Sequence, residues 1–190
     1  MSKEYIDDQV FENIDFRLNP LPIGEYSDCQ FSKCSFENCN LSGITFADCE
    51  FTECDMSNAI LGDTSFKTVL FRGCKMFGLQ FNNCREFLLE MNFIQCTLNY
   101  STLHGLNLTK TLFKHCDCLE VDFDGANLSR AVFEETNLKG AIFNNTNLTQ
   151  ANLTTANNFS INPANNILKK ASFSRFNISG LVNHLDINLK

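Results

Sequence analysis

Large apolar residues recur at every fifth position along most of the chain. Phe31, Phe36, Leu41, Phe46, Phe51, Met56, Leu61, Phe66, Phe71, Met76 and Phe81 form one unbroken series. After a slip of two residues, a second series runs through Phe93, Leu98, Leu103, Leu108, Phe113, Cys118, Phe123, Leu128, Phe133, Leu138, Phe143, Leu148 and Leu153. A period of five fits neither the helical nor the strand repeat. It predicts a solenoid in which each quintet forms one side of a coil.

The residue two before each of these centres is mostly small, as at Cys29, Cys34, Cys49, Cys54, Ala59, Ala126, Ala131 and Ala151. The other three positions are largely Asn, Ser, Thr, Asp, Glu, Lys and Gly. Two inward and three outward positions per quintet suit a narrow tube with a filled interior. Phe11, Phe31, Phe51 and Phe71 are twenty apart; Phe93, Phe113 and Phe133 continue the count after the slip, and Phe173 falls on it. Four quintets per turn therefore predict rings stacked in one column, at the ~4.8 Å spacing of parallel strands. The column survives the slip, so the extra residues are expected to bulge from a corner, not to divide two domains.

Ala126-Asn127-Leu128, Ala151-Asn152-Leu153, Cys39-Asn40-Leu41 and Cys49-Glu50-Phe51 resemble the A-(D/N)-L-x-x units of the pentapeptide-repeat family. That resemblance covers about residues 24 to 155. It implies an all-β fold, a right-handed four-sided parallel β-helix. The expected organisation is an irregular N-terminal cap over 1–23, the β-helix over 24–157, and a C-terminal cap and dimerisation segment over 158–190. Ser179–Leu185 reads as a short helix capped by Ser179, and Leu185–Leu189 as a half-buried strand.

Composition narrows the function. The chain has 19 Phe and no Trp, as suits a core of repeated equivalent slots, and its formal net charge is −7. A basic nucleic-acid footprint is missing, so direct nucleic-acid binding is not expected. No apolar stretch reaches membrane-spanning length and no signal-peptide core opens the chain, so the expected location is cytoplasmic. Nine of the ten cysteines take the small inward position and Cys118 a central one, without zinc-type spacing. They read as buried free thiols acting as small hydrophobes. His104, His115 and His184 lie apart, and no phosphate loop is present. Neither catalysis nor a cofactor or metal is expected.

Function is then sought where the pattern breaks. The slip, Arg85-Glu86-Phe87-Leu88-Leu89-Glu90-Met91-Asn92, is one candidate surface, with Arg85, Glu86 and Phe87 as contacts. Phe77, Tyr100 and Leu119 are apolar residues at outward positions of one side and form a second. Leu181, Leu185, Ile187 and Leu189 are candidates for a two-fold dimer interface at the C-terminal mouth. The C-terminal organisation also resembles that of Qnr-type members, which associate through this end.

The Qnr, MfpA and AlbG group of this family implies a partner, DNA gyrase or topoisomerase IV, bound by a rod that mimics duplex DNA and protects the enzyme from quinolones. Acidic outward residues supply the sign, with Asp117, Glu120, Asp122, Asp124, Glu134 and Glu135 as the candidate contacts. Sorting outward positions of the repeats by side gives no uninterrupted acidic stripe, and the long loops of Qnr proteins are absent. The other reading is a scaffold or adaptor that presents the bulge or the Phe77/Tyr100 patch to a non-topoisomerase partner.

Overall fold

The chain winds into a four-sided parallel β-solenoid, described by a computed structural model over residues 4–185 and Ile187. On the first side run β2 (Val10–Glu12), β4 (Gln30–Ser32), β6 (Glu50–Thr52), β8 (Val69–Arg72), β9 (Met91–Ile94), β10 (Leu112–Lys114), β11 (Val132–Glu134), β12 (Asn152–Leu153) and β13 (Ser172–Phe173). They form one nine-stranded parallel sheet. The second side is a ladder of single bridges from Asp15 through Ser35, Asp55, Lys75, Thr97, Asp117 and Asn137 to Asn157. The third carries Asn40 with Ile60, then Gln80, Thr102, Asp122 and Ile142. On the fourth, β1 (Glu4–Asp7), β3 (Gly24–Ser27), β5 (Thr45–Ala47) and β7 (Ser65–Lys67) pair as a separate sheet. That side resumes as the bridges Asn107, Asn127, Asn147 and Ile167.

The phenyl column is present. Phe11, Phe31, Phe51, Phe71, Phe93, Phe113 and Phe133 stack with successive centroid distances of 4.7, 4.7, 5.2, 5.4, 5.2 and 4.9 Å. Leu153 continues the column and pairs in register with Phe173. Rings from other sides meet it edge-on, as Phe123 does with Phe113 at 5.8 Å and 84°. Each stacked or edge-on pair adds about 0.5–1.5 kcal/mol beyond its buried area.

The thiols lie where the small positions put them, and all ten are free. Cys54, Cys74, Cys96 and Cys116 each direct Sγ at the carbonyl oxygen of the phenylalanine one coil earlier, at 3.3–3.4 Å. Thr136 and Thr146 donate to the equivalent carbonyls of Phe113 and Phe123 at 2.9 Å. The small slot is thus a hydrogen-bonding slot as well as a narrow one. Cys39 departs from the expected full burial and is half-buried.

Most corners among the described residues turn through the left-handed region, usually at the residue two after the centre. Asp28, Lys33, Asp48, Glu53 and Arg130 all have φ between 51° and 61°. Asn, Asp and Gly adopt this conformation readily, whereas Thr68 (φ 55°) and Tyr100 (φ 62°) are unfavourable occupants. The solenoid enforces the corner whatever residue stands there.

The bulge lies at the expected corner. Leu88 takes φ 60°, Leu89 packs partly against the core, and Glu90 N–H donates to Phe66 O at 3.0 Å. Register is kept across it, with Phe71 opposite Phe93 in the β8–β9 pair.

Both ends differ from expectation. The regular coil already starts within 1–23, because Ile6 and Phe11 carry the five-residue phase: β1 pairs with β3, and β2 with β4. Within the described residues 4–23, irregularity is confined to the turn around Pro20 and Pro22, residues that cannot donate to a ladder. At the other end, Ile178–Leu181 and Asn183–Leu185 are 3-10 turns, and Asn177, not Ser179, precedes the first. No side-chain cap bond forms there, because Asn177 Nδ2 donates to the carbonyls of Leu153 (3.1 Å) and Ala156 (2.8 Å). Leu185 is therefore not in a strand, and Leu189 lies outside the described residues.

Candidate interaction surfaces

The interior is filled, so chemistry is left to the exterior. Among the described residues, no cluster of three or more His, Cys, Asp or Glu is placed to hold a metal ion. No helix among the described residues is long and apolar enough to cross a membrane.

The acidic candidates do not converge. Glu134 and Glu135 belong to the first side, Asp117 and Glu120 to the second, and Asp122 and Asp124 to the third. Most are also engaged. Lys114 Nζ lies 2.8 Å from Glu134, His115 Nδ1 3.2 Å from Glu135, and His104 Nδ1 3.5 Å from Asp124. Asp117 accepts from Asn99 and Asn137, each at 2.8 Å. Asp122 Oδ1 accepts the Asp124 N–H at 2.9 Å. The 20-residue period sets most of these side chains against a neighbouring coil, so a partner approaching the surface meets a mixed-sign lattice.

The apolar candidates fare differently. Phe77 and Tyr100 touch, with centroids 5.0 Å apart and planes at 53°, and both remain over 40% exposed. Leu119 sits beside them, half-buried, its carbonyl accepting the Tyr100 N–H at 2.9 Å. At the bulge, Phe87 and Leu88 project into solvent, and Arg85 Nε lies 3.8 Å from Asp63. Clefts flank this projection. One of about 220 Å³ is lined by Leu89 to Asn92, Asn107 and Thr109 to Thr111. The other, about 440 Å³, is lined by Ala47, Asp48, Lys67, Thr68 and Leu88 to Glu90.

At the C-terminal mouth, Phe159 and Ile161 are buried as the lid, with Phe159 5.5 Å from Phe173. Leu181 packs against this core, while Leu185 and Ile187 are exposed. Phe176, fully exposed, and Ile178 extend the apolar surface and were not among the sequence candidates. The missed signal was their place beyond the last quintet, where the period no longer says which way a residue faces.

Sequence reasoning also missed one charged column. Asp8, Asp28 and Asp48 occupy the same corner of the fourth side in three successive coils. Counting by twenties from Asp28 back into the first 23 residues would have found it.

The architecture defines a pentapeptide-type parallel β-solenoid. A family model described as "Pentapeptide repeat region" matches residues 24–103, and one described as "Pentapeptide repeats (8 copies)" matches residues 116–154. Together they take in more than half of the chain, which belongs to the pentapeptide-repeat family. A trypsin-treated variant of QnrB1, a plasmid-mediated fluoroquinolone resistance protein, is similar in structure, with TM-score 0.77 and 20% identity over 100% of this chain and 92% of that one. HetL, a pentapeptide-repeat protein involved in heterocyst differentiation regulation from the cyanobacterium Nostoc sp. strain PCC 7120, matches with TM-score 0.51 and 18% identity, over 90% and 89% of the two chains. At these identities the likeness is one of fold. No curated protein matches the chain.

Proposed function

We propose that the protein is a non-enzymatic binding rod whose partner is a type II topoisomerase, DNA gyrase or topoisomerase IV, and that it protects this enzyme from quinolones. The observation that carries the reading is the combination of a core-filled parallel solenoid with a net charge of −7. The elongated form at ~4.8 Å per coil and the net negative sign, carried over a surface where many carboxylates are paired, suit a duplex-binding saddle. The similarity to QnrB1 over the whole chain supports the same reading. Two rods joined through Phe176, Ile178, Leu185 and Ile187 would double the length and cover the exposed apolar end.

The test is gyrase supercoiling, with and without a quinolone, in the presence of the protein. Inhibition or protection at micromolar concentration, weakened by salt and by reversing Asp122 and Asp124 or Glu134 and Glu135, is the expected result. Activity unchanged under all these conditions refutes the proposal. The Phe77–Tyr100 contact favours a second reading, an adaptor that docks a non-topoisomerase protein there. A partner retained by the wild type and lost with Tyr100→Ala would establish it.

A further inference from the structure

The fourth side of the rod is divided by charge. Its corner column reads Asp8, Asp28 and Asp48 before the bulge, then Lys110, Arg130 and, two coils on, Lys170. Among the described residues none of these six takes part in an ion pair, although every other side of the rod carries such pairs. Arg130 Nε spends one donor on Gln150 at 2.9 Å. The bulge stands between the two halves, with Phe87 and Leu88 at its tip.

We infer that this side binds a second copy of the chain, side by side and antiparallel, about a two-fold axis through the bulges. This interface goes beyond the end-to-end contact proposed above and shares none of its residues. An axis lying in the interface and perpendicular to the rod makes each column face its own reverse. Counting coils outward from the bulge, Asp48 then faces Arg130, and Asp8 faces Lys170. The neighbouring column matches as well, with Asp7 against Lys169. In the third column Tyr5 meets Ile167, two exposed apolar residues at opposite ends of the side. At the axis the Phe87 and Leu88 tips meet their own copies, while the long lysine and arginine stems span the gap the tips leave. One surface thus provides an apolar centre and complementary charge on both flanks, as an isologous contact requires.

A side about 40 Å long in this geometry buries on the order of 1,000 Å² in total, at the lower bound of specific interfaces. The association is accordingly of micromolar strength and salt-sensitive, because exposed pairs are worth only about 0–1 kcal/mol each and are screened.

Small-angle scattering with sedimentation equilibrium on the full chain tests this, run also on the Leu185→Glu/Ile187→Glu variant to remove the end contact. At ~100 µM and low salt, the expected result is that the variant is a dimer whose maximum dimension stays near that of one rod, ~50 Å, rather than ~90 Å for an end-to-end pair, while the wild type, with both contacts available, forms a larger assembly. Raising salt from about 0.05 to 0.5 M weakens the side-by-side dimer about tenfold or more. Arg130→Asp abolishes it, and adding Asp48→Arg in the same chain restores it, since each pair is then merely reversed. A monomer at every concentration, an elongated dimer alone, or failure of the double exchange to restore pairing overturns the inference. The gyrase assay reads the proposed function separately, so either can fail alone.

Discussion

Phe113 is the most informative single residue at which to perturb the column. Its side chain is fully buried, stacked on Phe133 at 4.9 Å with planes at 2°, on Phe93 at 5.2 Å, and met edge-on by Phe123. Truncating a buried phenylalanine to alanine costs about 3–5 kcal/mol from lost transfer energy and the residual cavity. Three ring partners place Phe113→Ala toward the upper end of that range. In a chain of this size each kcal/mol moves the midpoint about 2–4 °C, so the melting temperature should fall by about 10–15 °C. Phe113→Leu keeps most of the apolar volume and forfeits the ring contacts alone, for about 1–2 kcal/mol. Phe176→Ala, at a fully exposed site, should change little. Urea unfolding followed by circular dichroism measures all three. The central lesion should also lower the urea slope, because a linear array of coils loses cooperativity where neighbours are uncoupled. If Phe113→Leu proves as costly as Phe113→Ala, or if Phe113→Ala costs under ~2 kcal/mol, ring stacking is not what couples the coils.

The thiol slots give a contrasting pair. Cys96→Ser should be nearly neutral, since its hydroxyl inherits the Phe71 carbonyl, whereas Cys118→Ser buries a hydroxyl in a central slot where, among the described residues, the thiol makes no hydrogen bond, for about 1–3 kcal/mol on the same denaturation curve. Gly180→Ala would drive a Cβ against the ring and carbonyl of Phe159, and overpacking of about 1–3 kcal/mol should loosen the C-terminal lid first, read as faster amide exchange there than in the phenyl column. Burial pushes the Cys49 and Cys84 thiols up to about 12 from 9.0. Their neutral forms therefore favour the folded state below pH 9, and this contribution is lost as pH rises from 9 through 12, so stability should fall across that window; a flat profile would contradict it.

Much of this was readable from the chain because a solenoid turns sequence period directly into space. Spacing by five named the inward residues, spacing by twenty stacked Phe51 on Phe71, and continuity of the count across 85–92 placed a bulge instead of a boundary. The same arithmetic failed where the period was not applied or did not run. Residues 4–16 form a regular coil that was expected to be irregular, which hid the alignment of Asp8 with Asp28 and Asp48. Beyond Leu153, contacts with the lid decide direction, so Leu181 turned inward while Phe176 turned out.

The sequence by itself determined the coil, its four sides and its filled interior, because each quintet must bury two residues and only stacking its neighbours can do so. Tertiary structure alone decided how the outward charges pair. Glu134 and Glu135 look like free carboxylates in the chain, yet the coil before them places Lys114 and His115 at their side. Periodicity fixes which column a side chain joins. The rotamer it adopts, and whether its charge is met by the adjacent coil or left for a partner, depend on distances of a few ångströms between residues twenty apart.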